Sequence, residues 1–279
     1  LTGDHREKYG DGSAERFAYT PDLNIAATGG DTDRFLNWQT TAAGVVRIAH
    51  GPHGEIVTLE QDTCGRVVRR TVSRKGFRPQ TWTFGWNAQD QLVLADGPNG
   101  RWRYGYDPFG RRIFKECAGH REDFLWDGDV VARAGAVDWF FEPDSFRPMA
   151  RVEHGQLAYV VNDHLGTPKE VIAERGALIW AADYDTWGTL RLGRAVARSD
   201  LIEQGDYWIE PVSLSGGDAP AFVSLSEANF CPIRFQGRWE DAEVGLFHIR
   251  FRYYEPLAGQ YVNLDPIGLI GAYRLWRVC

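Results

Sequence analysis

Few residues in this sequence are placed to do chemistry, and each has a plainer structural reading beside the chemical one. His164 follows Asp163 in Asp-His-Leu-Gly-Thr-Pro, an acid and imidazole of the kind that can activate a nucleophile. No Gly-x-Ser-x-Gly elbow supplies the serine, and Gly166, Thr167 and Pro168 make the stretch a turn. His50 and His53, in Ala-His-Gly-Pro-His-Gly, could ligate a metal, but no third ligand lies nearby and they read as part of a Gly-Pro turn. Cys64, Cys117, Cys231 and Cys279 contain no CxxC pair and read as isolated reduced thiols. The expectation is therefore no metal and no cofactor. The 11 Trp could form a stacking platform for sugars if they were exposed. Placed at period two in strands, they are expected to pack against neighbouring strands instead. Asp265, which opens Asp-Pro-Ile-Gly-Leu, is the one acid that stands out, and on the residues alone it opens a Pro-Gly turn.

The elements that must position these residues follow from composition. With 279 residues, 43% hydrophobic and 25% charged, the chain is an ordinary folded one of one or two domains. Its 31 Gly, 11 Tyr and 15 Phe against a single Met favour many short strands joined by tight turns, so the expected class is all-β. A net charge of −7, with arginines scattered as singles and doublets, disfavours nucleic-acid binding through a basic face. No run approaches the eighteen or so apolar residues of a membrane span, and the first thirty residues are too polar for a secretory signal. The chain begins at Leu1 and its only Met is Met149, so it reads as part of something longer.

A weak repeat runs through the first half: an aromatic, then Asp or Asn, a polar or glycine turn, and an apolar strand. Tyr19-Thr-Pro-Asp22, Trp86-Asn-Ala-Gln-Asp90, Tyr106-Asp-Pro-Phe-Gly110 and Trp126-Asp-Gly128 are its copies, with Asp62 to Gly65 a degenerate one. In the clearest copy, Trp102, Tyr104 and Tyr106 alternate on one strand face, Asp107 to Gly110 turns, and Arg111 to Glu116 returns antiparallel. One hairpin cannot bury its aromatic face, so successive hairpins are expected side by side in a continuous sheet. No convincing unit lies between Asp31 and Arg47.

Further along, turns at Glu153 to Gly155, Asp163 to Pro168, Arg175-Gly176 and Thr186 to Gly188 separate strands Leu157 to Val161, Lys169 to Ala173 and Ala177 to Asp185. Residues 193–231 lose the pattern and read as an insertion or loop. The segment 232–272 is again dense in aromatics, with turns expected at Glu240-Asp241, Pro256 to Gly259 and Asp265 to Gly268. From Phe247 to Tyr253 odd positions are apolar while His248, Arg250 and Arg252 take the even ones, which predicts one half-buried strand with those three in water.

The run PIRFQGRWEDAEVGLFHIRFRYYEPLAGQYVNLDPIGL closely resembles the core segment of bacterial Rhs (rearrangement hotspot, YD-repeat) proteins. It has their FQGQ-like entry, their RYYDP-like strand, with Glu255 where the family has Asp, and their DPxGL exit. The YDPFGRR, DHLGTP and YDTWG pieces resemble further hallmarks of that family, from about Tyr106 to Ala272. The resemblance implies a curved or spiralling sheet of antiparallel YD-repeat hairpins, part of a hollow shell around a C-terminal toxin used in bacterial competition. It divides the chain into degenerate hairpins (1–139), Rhs-type strands (140–192), the insertion (193–231), the core segment (232–272) and a short remnant (273–279). It also implies partners: a toxin segment encoded downstream and the spike or adaptor proteins of a type VI secretion machine. The setting would be the bacterial cytoplasm before export, or outside the cell, secreted or at the cell surface as part of a larger protein of that family.

For Asp265 the resemblance implies an aspartate-based self-cleaving site, at most an autoprotease. Two carboxyls sharing a proton would activate water against a peptide bond that follows a second DPxGL-like motif. That second motif is not in this sequence, so the chain as written is expected to stay intact. The second carboxyl is left open between one beyond Cys279, Asp241 and Glu255. A carbohydrate- or cell-surface-binding module built on the aromatics is the alternative function.

Overall fold

The computed structural model describes residues 5–8, 14–19, 25–29, 35–41, 44–51, 54–195 and 231–266. Over these residues the chain is antiparallel β-structure, and its one helical piece is the 3₁₀ turn Phe235–Gly237. Three sheets follow one another along the sequence. A four-stranded sheet, His5–Lys8 to Phe35–Asn37, comes first. A sixteen-stranded sheet, the wall, runs from Gln39–Thr40 to Leu190–Ala195 with every strand bonded to its sequence neighbours. A five-stranded sheet, Ile233–Arg234 to Gln260–Tyr261, closes the order. The region 31–47, where no repeat is legible, contributes the short strands Phe35–Asn37 and Gln39–Thr40. Strand Leu190–Ala195 runs three residues into the expected insertion, whose remainder, 196–230, lies outside the described residues, as do Ile267 to Leu269 of the Asp-Pro-Ile-Gly-Leu motif.

The wall is built of the expected hairpins. Between strands Gly100–Tyr106 and Arg112–Cys117, the Asp107 carboxylate accepts bonds from the backbone N–H of Phe109 and Arg111, each 2.9 Å, and Gly110 takes φ 78°. An Asp that caps its own turn and a Gly that tolerates positive φ are the physical reason for the Asp-x-x-Gly spacing. Asp62 and Asp163 cap their turns in the same way, so the copy at Asp62 is less degenerate than its sequence looks.

The aromatic that opens each repeat has a second function. Trp86 Nε1 donates to the Val67 carbonyl at 2.8 Å, Tyr106 Oη to Leu92 at 2.8 Å, and Trp126 Nε1 to Arg112 at 2.7 Å. Asn162 and Tyr184 do the same to Pro148 and Pro168, at 2.7 and 2.6 Å. Each acceptor is the first residue of the preceding hairpin's return strand. The twenty-residue period is thus the period of a hydrogen-bonded ladder tying hairpin to hairpin. Phe141 takes the equivalent place in strand Val137–Phe141, has no hydrogen to donate, and packs against the core.

The five-stranded sheet sits inside the curve of the wall. Gln260 exchanges hydrogen bonds with the Val46 backbone, 3.1 and 3.2 Å, while the Arg234 guanidinium stacks on Tyr184 at 5.5 Å. Val46 and Tyr184 lie thirteen places apart in the wall's strand order, roughly 60 Å if the sheet were flat. The inner sheet is only five strands wide, roughly 20 Å, so the wall must wrap around it. Phe17 of the first sheet meets Trp187 near the wall's last strand edge-on at 5.6 Å, which brings the two ends of the β-structure together. This is the expected curved sheet.

Burial on both faces corrects the reading of the stretch from Phe247 to Tyr253. It is two strands, Leu246–Ile249 and Arg252–Glu255, joined by a tight turn at Arg250-Phe251. His248 is buried beside Trp239 and Tyr253 on the wall-facing side, Phe247 beside Tyr254 and Tyr261 on the other, and Phe251 is exposed at the turn. Glu240 and Asp241, expected in a turn, belong to strand Arg238–Asp241.

Candidate functional site

The inner sheet is joined to the wall by charges that neither side exposes. Arg112 on strand Arg112–Cys117 pairs with Asp241, the two side chains being 1% and 0% exposed. Lys115, three residues further on and brought to the same side by the register shift of this strand after Arg112, reaches Asp241 at 3.4 Å and Glu243 at 3.1 Å, and the Tyr104 hydroxyl donates to Glu243 at 3.2 Å. Arg70 on strand Val67–Arg74 pairs with Glu255 and donates to the Val244 carbonyl at 2.9 Å. Ion pairs this deep are stable only if both members are present, because either charge alone in a low-dielectric interior costs several kcal/mol.

The electrostatics follow from that proximity. Burial raises the Asp241 carboxyl, but the Arg112 and Lys115 charges outweigh it and hold the group below the usual carboxylate range. Glu243 stays above its ordinary value, pushed up by burial, pulled back by Lys115 and pushed further by Asp241. Burial, with the Arg112 charge beside it, pushes the His248 imidazole down to about 3. The Tyr253 hydroxyl, also buried, is raised to about 12.

Asp265 lies outside this buried set, just past strand Gln260–Tyr261. Arg252 Nη1 donates to its Oδ2 at 2.7 Å, and the same guanidinium stacks on the Tyr261 ring at 3.3 Å. Asn263 fixes the approach, accepting from the Tyr253 N–H at 2.9 Å and donating to the carbonyls of Phe251 and Asp90. An oriented, half-buried carboxylate of this kind can take a proton from water when a second carboxyl stands beside it. Of the two internal candidates for that second carboxyl, Asp241 is held by Arg112 and Lys115, and Glu255 by Arg70. Arg252, read from the sequence as a solvated residue, is the contact that reasoning missed, and its place thirteen residues before Asp265 carried no recognisable signal.

The other chemical candidates that are described lie in turns, strands and cores. His164 is exposed at the turn capped by Asp163. His50 lies in strand Val46–His50, His53 is outside the described residues, and no cluster of three potential metal ligands exists among the described ones. Trp82, Trp139, Trp180 and Trp239 are buried in the cores between wall and inner sheet. Cys64, Cys117 and Cys231 are free thiols.

A family model described as RHS protein matches residues 157–193. The probable deoxyribonuclease RhsA of Dickeya dadantii is 33% identical over 228 residues, which is 76% of this chain and 14% of that protein. The toxin protein Tse5 of Pseudomonas aeruginosa is 31% identical over 246 residues, 72% of this chain and 16% of that protein. The chain therefore spans only a small part of these curated relatives. Among solved structures, the crystal structure of TcdB2-TccC3-Cdc42 matches with a TM-score of 0.51 at 14% identity, covering 98% of this chain and 17% of that one. That likeness concerns the fold.

Proposed function

The chain belongs to the Rhs family, and from that premise we propose that it forms part of a shell wall, with its inner sheet as the plug, enclosing a toxin segment that follows it. The observation that carries the reading is the wrapped wall clamped to the inner sheet by Arg112–Asp241, Lys115–Glu243 and Arg70–Glu255. A curved antiparallel sheet has two open edges and one concave face; filling that face with a plug whose carboxylates are paired by the wall seals one side of a container. In this reading Asp265, oriented by Arg252, supplies one carboxyl of a self-cleaving site that separates toxin from shell. The toxin would serve in competition between bacteria, carried by a type VI machine through spike or adaptor proteins. Among the described residues no helix is long and apolar enough to cross a membrane.

The test is protease protection in the longer protein that continues into the downstream segment. That segment should co-elute with the shell after cleavage and resist trypsin that digests it when it is purified alone. Equal digestion in both settings would rule out enclosure.

A further inference from the structure

On the rim of the wall that carries the Asp-capped turns, a pocket of ≈ 230 Å³ opens between the wall and the inner sheet. Trp126, Val130 and Phe141 of the wall and Ile249 of the inner sheet line it, each partly exposed, and Phe146, 44% exposed, forms one lip. Val131 and Trp239, both buried, close the floor. Gly237 packs so closely on the lip that a Cβ there would stand 2.9 Å from the Phe146 ring. The Trp126 Nε1 is already bonded to the Arg112 carbonyl, so the indole offers the pocket only its ring.

The mouth carries one charge of each sign. Asp129 and Arg250 are paired there, their side chains 49% and 37% exposed. An ion pair this exposed adds little stability, so its members can exchange partners. A peptide group satisfies both at once, its carbonyl accepting from the guanidinium and its N–H donating to the carboxylate. A ligand of net charge is attracted by one and repelled by the other.

The apolar surface continues along the rim on both sides of the pocket. The turns that follow strands Gly100–Tyr106, His120–Asp127, Val137–Phe141 and Gln156–Asn162 all lie on this rim, because consecutive strands are antiparallel neighbours. On one side Phe109, 72% exposed, precedes Gly110, whose Cβ position lies 2.8 Å from the Phe251 ring, and Arg250 stacks on that ring at 4.7 Å. On the other side Arg147, next to Phe146, donates to the His164 carbonyl at 3.5 Å, which sets Leu165, 54% exposed, alongside. Successive turns stand two strands apart, so from Phe109 to Leu165 the rim runs roughly 30 Å, the length of about nine extended residues.

We propose that the pocket and its rim bind an extended stretch of polypeptide. One bulky apolar side chain enters the pocket, the peptide groups beside it take Arg250 and Asp129 as partners, and apolar side chains further along lie over Phe109 and Leu165. The volume suits one ring: a cavity of about 150 Å³ with apolar walls already takes benzene, and drug-sized ligands need about 300 Å³ or more.

The experiment is calorimetric titration of the unaltered 279-residue chain with acetyl-Leu-Ser-Gly-Ser-Phe-Ser-Gly-Ser-Leu-amide and with the same peptide carrying serine in place of its phenylalanine. The first should bind one to one and at least about tenfold more tightly, the worth of one apolar ring taken out of water. Val130→Phe fills the pocket from a partly exposed position and should bring the first peptide down to the affinity of the second. Toluene, which fits the pocket without reaching the rim, should compete with the first peptide. Toluene binding that the peptide leaves undisturbed would identify a small-molecule site and overturn the polypeptide reading. Equal affinities of the two peptides for the unaltered chain, or no binding of either, would overturn it too, whether or not the variant folds. These titrations involve no toxin, so their failure is distinct from failure of enclosure.

Discussion

Arg112 of the wall and Asp241 of the inner sheet form an ion pair with almost no solvent exposure, although 129 residues separate them in sequence. Removing one member should therefore cost far more than removing both. Arg112→Met leaves the Asp241 carboxylate buried with only Lys115 at 3.4 Å, and is expected to destabilise the chain by about 3–5 kcal/mol. Adding Asp241→Leu to it should recover most of that loss, because apolar contacts replace both charges. Urea unfolding midpoints of the two variants test this; a loss below about 1 kcal/mol for Arg112→Met would show that the clamp does not hold the inner sheet.

The same cluster sets an acid limit on stability. The folded-state value of His248 is about 3, below the ordinary 6.5, so as pH falls through 6.5 the unfolded chain takes up a proton that the folded one refuses. Stability should fall from there towards pH 3, by about 1.4 kcal/mol per pH unit for this one proton. Glu243 works in the opposite sense. Its folded-state value is raised above 4.5, so its contribution is present below 4.5 and lost as pH rises through the folded value. Hence His248→Phe should flatten the acid side of the profile, whereas Glu243→Gln, which takes one of the buried partners from Lys115, should lower stability at neutral pH. A His248→Phe profile parallel to that of the unaltered chain between pH 6.5 and 4.5 would refute the assignment.

The ladder of repeat residues predicts graded losses. Tyr106 donates to the Leu92 carbonyl and also shares a 2.9 Å hydrogen bond with the Tyr253 hydroxyl, so Tyr106→Phe breaks a link between hairpins and one between wall and inner sheet. Tyr184→Phe breaks only the bond to Pro168. At about 1 kcal/mol per bond, with more where the orphaned carbonyl is buried, Tyr106→Phe should cost about twice as much as Tyr184→Phe. Thermal unfolding of the two single variants measures the ratio, and equal losses would argue against the second bond.

These residues also mark what could be read from sequence. Asp107, Gly110 and the aromatics at 86, 106 and 126 act within one hairpin or on the next, so their spacing is visible along the chain. The inner sheet defeats the same reasoning, because alternation identifies a half-buried strand and this sheet is buried on both sides. His248, Arg112, Asp241 and Glu243 look like surface residues by type. Only the long-range pairing of two segments more than a hundred residues apart makes their burial possible, and no local pattern encodes it.

The last prediction concerns cleavage. Arg252 holds the Asp265 carboxylate at 2.7 Å and is itself pinned on the Tyr261 ring, so in the proposed site Asp265 would enter as an already oriented carboxyl. Self-cleavage also needs a scissile segment and a second carboxyl brought to Asp265, since proximity supplies much of the rate. Asp241 and Glu255 are buried in ion pairs with Arg112 and Arg70, so in the proposed mechanism the second carboxyl would come from a downstream segment. The 279-residue chain should accordingly keep its full mass on incubation. Extended by a downstream segment with a second Asp-Pro-x-Gly-Leu motif, it should cleave after that motif's Leu. Asp265→Asn should then slow cleavage by at least about 10²-fold, because the amide cannot exchange the proton. Arg252→Met should slow it less, leaving the carboxyl in place without its orienting partner. Intact-mass time courses read all three proteins, and undiminished cleavage of the extended Asp265→Asn chain would remove Asp265 from the mechanism.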